Sequence, residues 1–311
     1  MRLFVYTTLP AEARAQLHQG LPANTAVTYA HDLSADQQAA AFQLAEVLLG
    51  NPPLAWLAAG APPALRFWQL DSAGFDRYQG LKTAALVANM GDFFAWPCAE
   101  TMVAGLLALC RQLPELMRLQ AAQQWQGPSM RERLGLLRGK RVIILGAGAI
   151  GQAVRQQLSG FGCAVQLLAR TDPQAQLHTR AELAAALPHT DIVVNCLPGS
   201  ADKFFGADLL ALLPPGSLYA SVGRGNTTDE PALLAALQAG HLGGAVLDVT
   251  ETEPLPPGHP LWTLPGVLLT QHTGGGQPGE AEGRVAQLLR NLQHWQAGQP
   301  LENLVQLGRG Y

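Results

Sequence analysis

The run RVIILGAGAIGQAVRQQL, from Arg141 to Leu158, limits what this chain can fold into more than any other stretch. Its opening residues are apolar and mostly β-branched, as a buried strand requires. Three glycines follow at 146, 148 and 151, and then a pattern with helical period. Strand, glycine turn and helix open a βαβ unit, which implies a parallel sheet covered on both faces. The first glycine permits the tight turn, the second lets the backbone approach a pyrophosphate, and the third lets helix and strand pack closely. The helix N-terminus then offers unpaired N–H groups to the anion. Gly146, Gly148, Ala149, Ile150 and Gly151 are therefore expected to hold a dinucleotide.

The next strand, AVQLLART, ends in Arg170 and Thr171. About twenty residues beyond the glycine turn, an NAD site carries Asp or Glu for the ribose hydroxyls. A carboxylate there would repel a 2′-phosphate, whereas a guanidinium grips it through paired charge-assisted bonds. Arg170 and Thr171 thus predict a preference for NADP(H), with NAD(H) also accepted. The alternative is a solvated Arg170, with Asp172 reaching the ribose.

At 311 residues the chain exceeds the size at which one core keeps growing, so two domains are expected. Only 14% of residues are charged against 48% hydrophobic, which excludes a disordered chain. A formal charge of -3 with no dense basic block leaves no footprint for nucleic acid or an anionic membrane. The first apolar run breaks at Thr7 and Pro10, too early for a signal segment or a span, so a cytoplasmic location is expected. Cys98, Cys110, Cys163 and Cys196 show no C-x-x-C spacing and read as reduced, buried thiols.

Along the first third, MRLFVYTT reads as a strand and DLSADQQAAAFQLA as a helix capped by Asp32 or Ser34. AEVLLGN, ALRFWQL and TAALVANM read as three further strands. From Cys98 to about Gln124 the pattern is one long helix that Pro114 should end or kink; it offers a bridge between domains or a dimer surface. After the glycine unit, DIVVNCLP, GSLYASVG, GGAVLDV and GVLLTQH read as buried strands, with the helix EPALLAALQAG among them. The amphipathic EAEGRVAQLLRNLQHWQAG is expected to return to the first domain. The domains expected are residues 1–98 with 276–311, and residues 99–275.

Three segments put titratable residues at the C-terminal ends of strands, where ligands collect in open α/β sheets: SVGRGNTTDEPAL, GAVLDVTETEPLPPGHPLW and GVLLTQHTGGG. With the glycine turn they resemble the D-2-hydroxyacid dehydrogenase family, and EPLPPGHPLW with Arg170 is most similar to its glyoxylate/hydroxypyruvate reductases. The resemblance covers nearly the whole chain. It implies an α/β fold of two Rossmann-like or flavodoxin-like domains with parallel sheets and an active-site cleft between them; a homodimer is expected separately, on the long helix near residues 98–124.

By position, the resemblance implies that Arg224 is the substrate arginine, Glu253 the carboxylate and His272 the acid/base. The chemistry asks for these types. A planar, permanently charged fork suits a 2-oxo acid, and a protonated imidazole can neutralise the charge that hydride transfer builds on the carbonyl oxygen. A neighbouring carboxylate favours the imidazolium and fixes its orientation. No metal is needed, because Arg224 and His272 already supply the electrophilic help. The resemblance further implies that the backbone of Ala73 and Gly74 meets the substrate carboxylate. It also implies that Leu197 and Pro198 cover the cofactor and that Asp248 lies near its nicotinamide carboxamide.

This chain departs from the family pattern at Gln271, where proline usually precedes the histidine, and at Thr250, where a hydrophobic residue usually follows Asp-Val. The polar GNTTDE replaces a more apolar stretch, and HTGGGQPG is unusually glycine-rich. The expected activity is NADPH-dependent reduction of a small 2-oxo acid, of the glyoxylate or hydroxypyruvate type, to the 2-hydroxy acid. Two rivals stand beside it: a dehydrogenase of phosphite or another small anion, and a non-catalytic NAD(P)H-responsive binding protein.

Overall fold

The structure, a computed structural model, describes residues 1–309. The chain divides into two compact units, Met1–Phe94 with the stretch from Gln277 onward, and Ala95–Gly276. The first boundary falls ahead of the expected Cys98 because one unbroken helix begins at Ala95. Residues 310 and 311, included in the expected first domain, lie outside the described residues.

The first unit opens with β1 (Arg2–Val5), α1 (Ala11–Gly20), β2 (Ala26–Tyr29), α2 (Ala35–Gln43), β3 (Val47–Leu49), β4 (Phe67–Gln69) and β5 (Leu86–Ala88). Leu3, Val5, Val47, Leu49 and Phe67 face one side of the sheet. Phe4, Leu48 and Trp68 face the other, the two-residue alternation of a strand. Ser34, not Asp32, caps α2, in a reciprocal pairing with Gln37. α1 and β2 give weak sequence signals. Only Ala13 and Leu17 of α1 are buried, and β2 is a four-residue edge strand with no fully buried position.

The second unit begins with α3 (Ala95–Cys110), α4 (Leu113–Ala121) and α5 (Gly127–Glu132). The expected long helix is thus two. The chain turns through a left-handed Gln112, and Pro114 sits in the first turn of α4, where its missing N–H costs nothing. There follow β6 (Arg141–Leu145), α6 (Ala149–Ser159), β7 (Ala164–Leu168), α7 (Arg180–Ala186), β8 (Ile192–Asn195), α8 (Ala207–Leu210), β9 (Ser217–Ser221), α9 (Glu230–Gln238), β10 (Leu242–Leu247) and β11 (Val267–Leu269). Returning to the first unit, α10 (Glu280–Gln296) packs on α1, and β12 (Leu304–Val305) closes the sheet edge.

The first sheet runs β12-β5-β4-β3-β1-β2, parallel except for β12 against β5. The order of its five parallel strands is flavodoxin-like. The second sheet runs β11-β10-β9-β8-β6-β7, all parallel, and a parallel bridge from Leu168 to Leu177 extends it beyond β7. Counting that bridge as a strand gives the Rossmann order, whose direction reverses between β6 and β8. Every residue of β8 is buried, as expected of a strand covered on both faces. One face is covered by Leu183 of α7, Leu209 and Leu210 of α8, and Leu233 and Leu237 of α9. α3 packs against α6, β9 and β10.

Candidate active site

Because the second sheet is wholly parallel, the C-terminal ends of its strands share one edge, and every expected cofactor or catalytic residue stands on that edge. Gly146 follows β6 with φ +102, a conformation that disfavours any side chain, and its N–H bonds the Leu168 carbonyl at 2.9 Å. Gly148 caps α6 with no side-chain cap, and a Cβ there would meet nothing within 4 Å. Ala149 and Ile150 open the helix. A Cβ on Gly151 would run into the Gly146 carbonyl. These are the features a pyrophosphate cradle needs: an open approach, uncapped N–H groups and close helix–strand packing.

After β7, Arg170 and Thr171 are exposed. Asp172 Oδ1 accepts the Gln174 N–H at 2.8 Å, so one of its oxygens closes the local turn. After β8, Leu197 and Pro198 are partly exposed, and the Leu197 N–H is held by Asn195 Oδ1 at 3.0 Å.

The loops after β9, β10 and β11 carry Arg224, Glu253 and His272. Glu253 Oε2 meets His272 Nδ1 at 2.7 Å, while Oε1 accepts the Thr250 N–H at 3.1 Å. A carboxylate only accepts, so Nδ1 carries the hydrogen and Nε2 is the nitrogen left for proton exchange. The imidazole is about half exposed, at 53%, which leaves it reachable. Arg224 Nη1 donates to the Gly223 carbonyl at 2.7 Å. The Glu253 loop is itself anchored, since the Glu251 N–H bonds Glu230 Oε2 of α9 at 2.8 Å, and His259 Nε2 lies 3.6 Å from Glu230.

Gln271 and His272 both adopt left-handed backbone, at φ 54 and 57. Such a conformation costs a non-glycine residue about 1–2 kcal/mol, so its surroundings must hold it. Asp248, 4% exposed, does so. Its Oδ1 accepts from Thr270 Oγ1 at 2.6 Å, the Thr273 N–H at 3.0 Å and the Gly274 N–H at 2.9 Å, and its carbonyl accepts the His272 N–H at 2.6 Å. The geometry also accounts for Gln271. Proline is locked near φ −65 and cannot take this conformation.

Sequence reasoning missed the glycines that bring these loops together. A Cβ on Gly225 would collide with the Thr250 carbonyl, one on Gly223 with the Leu197 carbonyl, and one on Gly274 with the Asp248 carboxylate. The only signal was the glycine spacing in VGRG and HTGGG. Two cysteines lie nearby. Burial pushes the Cys98 thiol up to about 12, with Asp248 adding to the rise and Arg224 opposing it, and burial likewise raises Cys196. Both are neutral thiols at neutral pH, unsuited to act as nucleophiles.

Ala73 and Gly74 belong to the first unit, in the loop after β4. Asn89 Nδ2 donates to the Ala73 carbonyl at 2.5 Å and Ser72 Oγ to the Gly74 carbonyl at 2.6 Å. Peptide planarity then turns the Gly74 N–H away from Asn89. Among the described residues, no helix is long and apolar enough to cross a membrane.

Comparison with known proteins bears on the whole chain. Residues 103–274 match the model for the D-isomer specific 2-hydroxyacid dehydrogenase NAD binding domain. The chain is 30% identical over 317 residues to glyoxylate/hydroxypyruvate reductase B of Serratia proteamaculans, covering 97% of both. It superposes at a TM-score of 0.85 on a D-isomer specific 2-hydroxyacid dehydrogenase family protein from Aeromonas salmonicida, with 28% identity, covering 98% of this chain and 99% of that one. A D-isomer specific 2-hydroxyacid dehydrogenase from Xanthobacter autotrophicus, solved with NADPH and MES, matches at 0.81 with 27% identity, covering 100% and 99%. The chain belongs to the D-isomer specific 2-hydroxyacid dehydrogenase family of NAD(P)-dependent oxidoreductases.

Proposed function

We propose that this protein reduces a small 2-oxo acid, of the glyoxylate or hydroxypyruvate type, to the 2-hydroxy acid with NADPH. The observation that carries this reading is the 2.7 Å contact between Glu253 and His272 Nδ1, on a loop pressed by Gly225 against the Arg224 turn. The glycine turn, with its open Gly148 and uncapped α6, fits a dinucleotide, which when bound supplies the hydride. Arg224 grips the substrate carboxylate and polarises the adjacent carbonyl. His272 Nε2 holds the proton that the carbonyl oxygen takes as charge develops on it, and Glu253 keeps the ring turned. The N–H groups of Ala73 and Gly74 are assigned to the substrate carboxylate as part of the same reading.

Arg170 and Thr171 are assigned to the 2′-phosphate, because Asp172 already spends one oxygen on its own turn. The NADPH in the Xanthobacter relative supports the same preference. Leu197 and Pro198 are assigned to the cofactor's flank. Any contact of Asp248 with the carboxamide falls to Oδ2, since Oδ1 holds three donors. A homodimer fits the exposed Leu113, Leu116 and Met117 of α4, which a second copy would cover.

Initial rates with glyoxylate, hydroxypyruvate, pyruvate and phenylpyruvate, each with NADPH and NADH, test the reading. Turnover is expected with the first two, and His272→Ala should abolish it while NADPH still binds. Cofactor binding with negligible turnover of every acid would favour a sensor. Retained turnover in His272→Ala would remove that residue as proton donor.

A further inference from the structure

Beneath Arg224 lies a buried group of polar side chains that the reaction does not use directly: Asn195 at the end of β8, Tyr219 in β9, and Thr227 and Thr228 beyond Arg224. Donor and acceptor chemistry fixes the bonds that run from Leu197 through Asn195 and Thr227 to Arg224. Thr227 Oγ1 lies 2.6 Å from the Arg224 carbonyl and must donate to it, so Thr227 accepts from Asn195 Nδ2 at 2.9 Å. Asn195 Nδ2 also donates to the Tyr219 hydroxyl at 2.9 Å and lies 3.3 Å from Thr228 Oγ1, and the Tyr219 and Thr228 hydroxyls share a hydrogen bond at 2.5 Å. Burial raises the Tyr219 phenol to about 12, so its proton is present at neutral pH. With both N–H bonds so used, Asn195 Oδ1 accepts the Leu197 N–H at 3.0 Å. One amide therefore grips the loop after β8 with its oxygen and, through one hydroxyl, the backbone of Arg224 with its nitrogen.

A second link runs in parallel. Asn226 Nδ2 donates to the Gly199 carbonyl at 2.8 Å and to Asp202 Oδ1 at 2.9 Å, tying the same two loops. Gly223 removes the Cβ that would otherwise hold the Leu197 backbone away. The surrounding core is apolar, with Phe205 stacked on Tyr219 at 5.4 Å, and buried polar groups are tolerated there only when fully bonded. An apolar filling would supply bulk without direction. Hydrogen bonds fix the Arg224 carbonyl relative to the Leu197 N–H.

We infer that Asn195 and Thr227 are positioning residues that couple the loop of Leu197 and Pro198 to Arg224, so that cofactor bound against the first orders the second for an anionic substrate. This rests on the reductase reading for the roles of the two loops. It predicts positive coupling: NADP+ should tighten the binding of oxalate, an unreactive anion of the substrate's size, by about tenfold.

The test uses the full chain and Thr227→Val, which keeps the side-chain shape and removes only the hydroxyl link; Asn195→Asp, which keeps an acceptor for Leu197 and loses both donors, is the second variant. Calorimetric titration of oxalate with and without saturating NADP+ gives the coupling factor, and amide exchange over residues 222–228 with and without NADP+ reads the same link without any substrate. In the wild type NADP+ should slow exchange in that segment. In Thr227→Val, where the Asn226 link remains, the protection should weaken and the coupling factor fall severalfold, with NADP+ affinity within about twofold. The inference is overturned if NADP+ protects residues 195–198 but leaves 222–228 unchanged in the wild type, or if Thr227→Val keeps the full coupling factor. Intact coupling in a protein that reduces no oxo acid would instead sink the reductase reading and leave the link standing.

Discussion

At the scale of single residues, the site depends on groups whose value lies in what they leave out. Gly225 lets the Arg224 turn touch the backbone at Thr250, and Thr250 in turn donates to Glu253. In Gly225→Ala the added Cβ meets backbone, which cannot swing aside, so the two loops must part. We expect kcat/KM to fall by about 100-fold for a displacement of about 1 Å; steady-state kinetics against an unchanged NADPH affinity would show it, and unaltered kinetics would refute it. At Arg170 the question is charge. Arg170→Asp puts a group that would repel a 2′-phosphate where we assign its partner, and NADPH affinity should drop by about tenfold or more while NADH affinity holds. Equal losses for both cofactors, measured by fluorescence titration, would remove Arg170 from that role.

Among the elements, α3 shows how a helix read correctly as apolar can be misjudged in extent. Its sequence runs on into α4 with no loss of hydrophobic pattern, and only the left-handed Gln112, with Pro114 just beyond, divides the two. Its placement was not legible either. Gly105 faces Val246 of β10 so closely that a Cβ would come within 2.5 Å of Val246 Cγ1, so this glycine sets the height of the helix over the sheet. Gly105→Leu should overpack the contact and cost about 1–3 kcal/mol, read as a lower Tm in thermal unfolding. An unchanged or raised Tm would mean that α3 can move off β10 freely. By contrast, the junction of β6 and α6 was legible, because the glycine turn marks where the strand ends and the helix begins.

For the whole molecule, the surface carboxylates set how stability responds to acid. The guanidinium of Arg141 holds Asp191 below the usual carboxylate range, as Arg14 does for Asp32 and Arg180 for Asp208; Gln287 and then Arg290 do the same for Glu302. Each folded-state pKa is depressed, so the stabilisation is complete above the ordinary carboxylate range and is lost as pH falls through the depressed values. The urea midpoint should therefore be flat from pH 7 to about 5 and fall below about pH 4. Exposed pairs contribute little. Asp191 should matter most, since it binds both the Arg141 guanidinium at 3.1 Å and the Arg141 N–H at 2.8 Å, joining the first turns of β6 and β8. Asp191→Asn should cost about 1 kcal/mol at pH 7 and flatten the acid slope; an unaltered slope would assign the acid response elsewhere.

What the amino-acid order settled alone was local: a strand, a glycine turn and a helix in sequence, a parallel sheet implied by them, and Arg224, Glu253 and His272 each at a strand's end. Those features are legible because periodicity and glycine placement act over a few consecutive residues. The fold alone decided that Asp248 would spend one oxygen on the His272 loop, that Gln271 would stand where proline cannot, and that a single Asn195 amide would join Leu197 to Arg224. Such contacts join loops some tens of residues apart in the chain. Their spacing is set by neighbouring parallel strands, about 4.8 Å apart, a distance that no local pattern encodes.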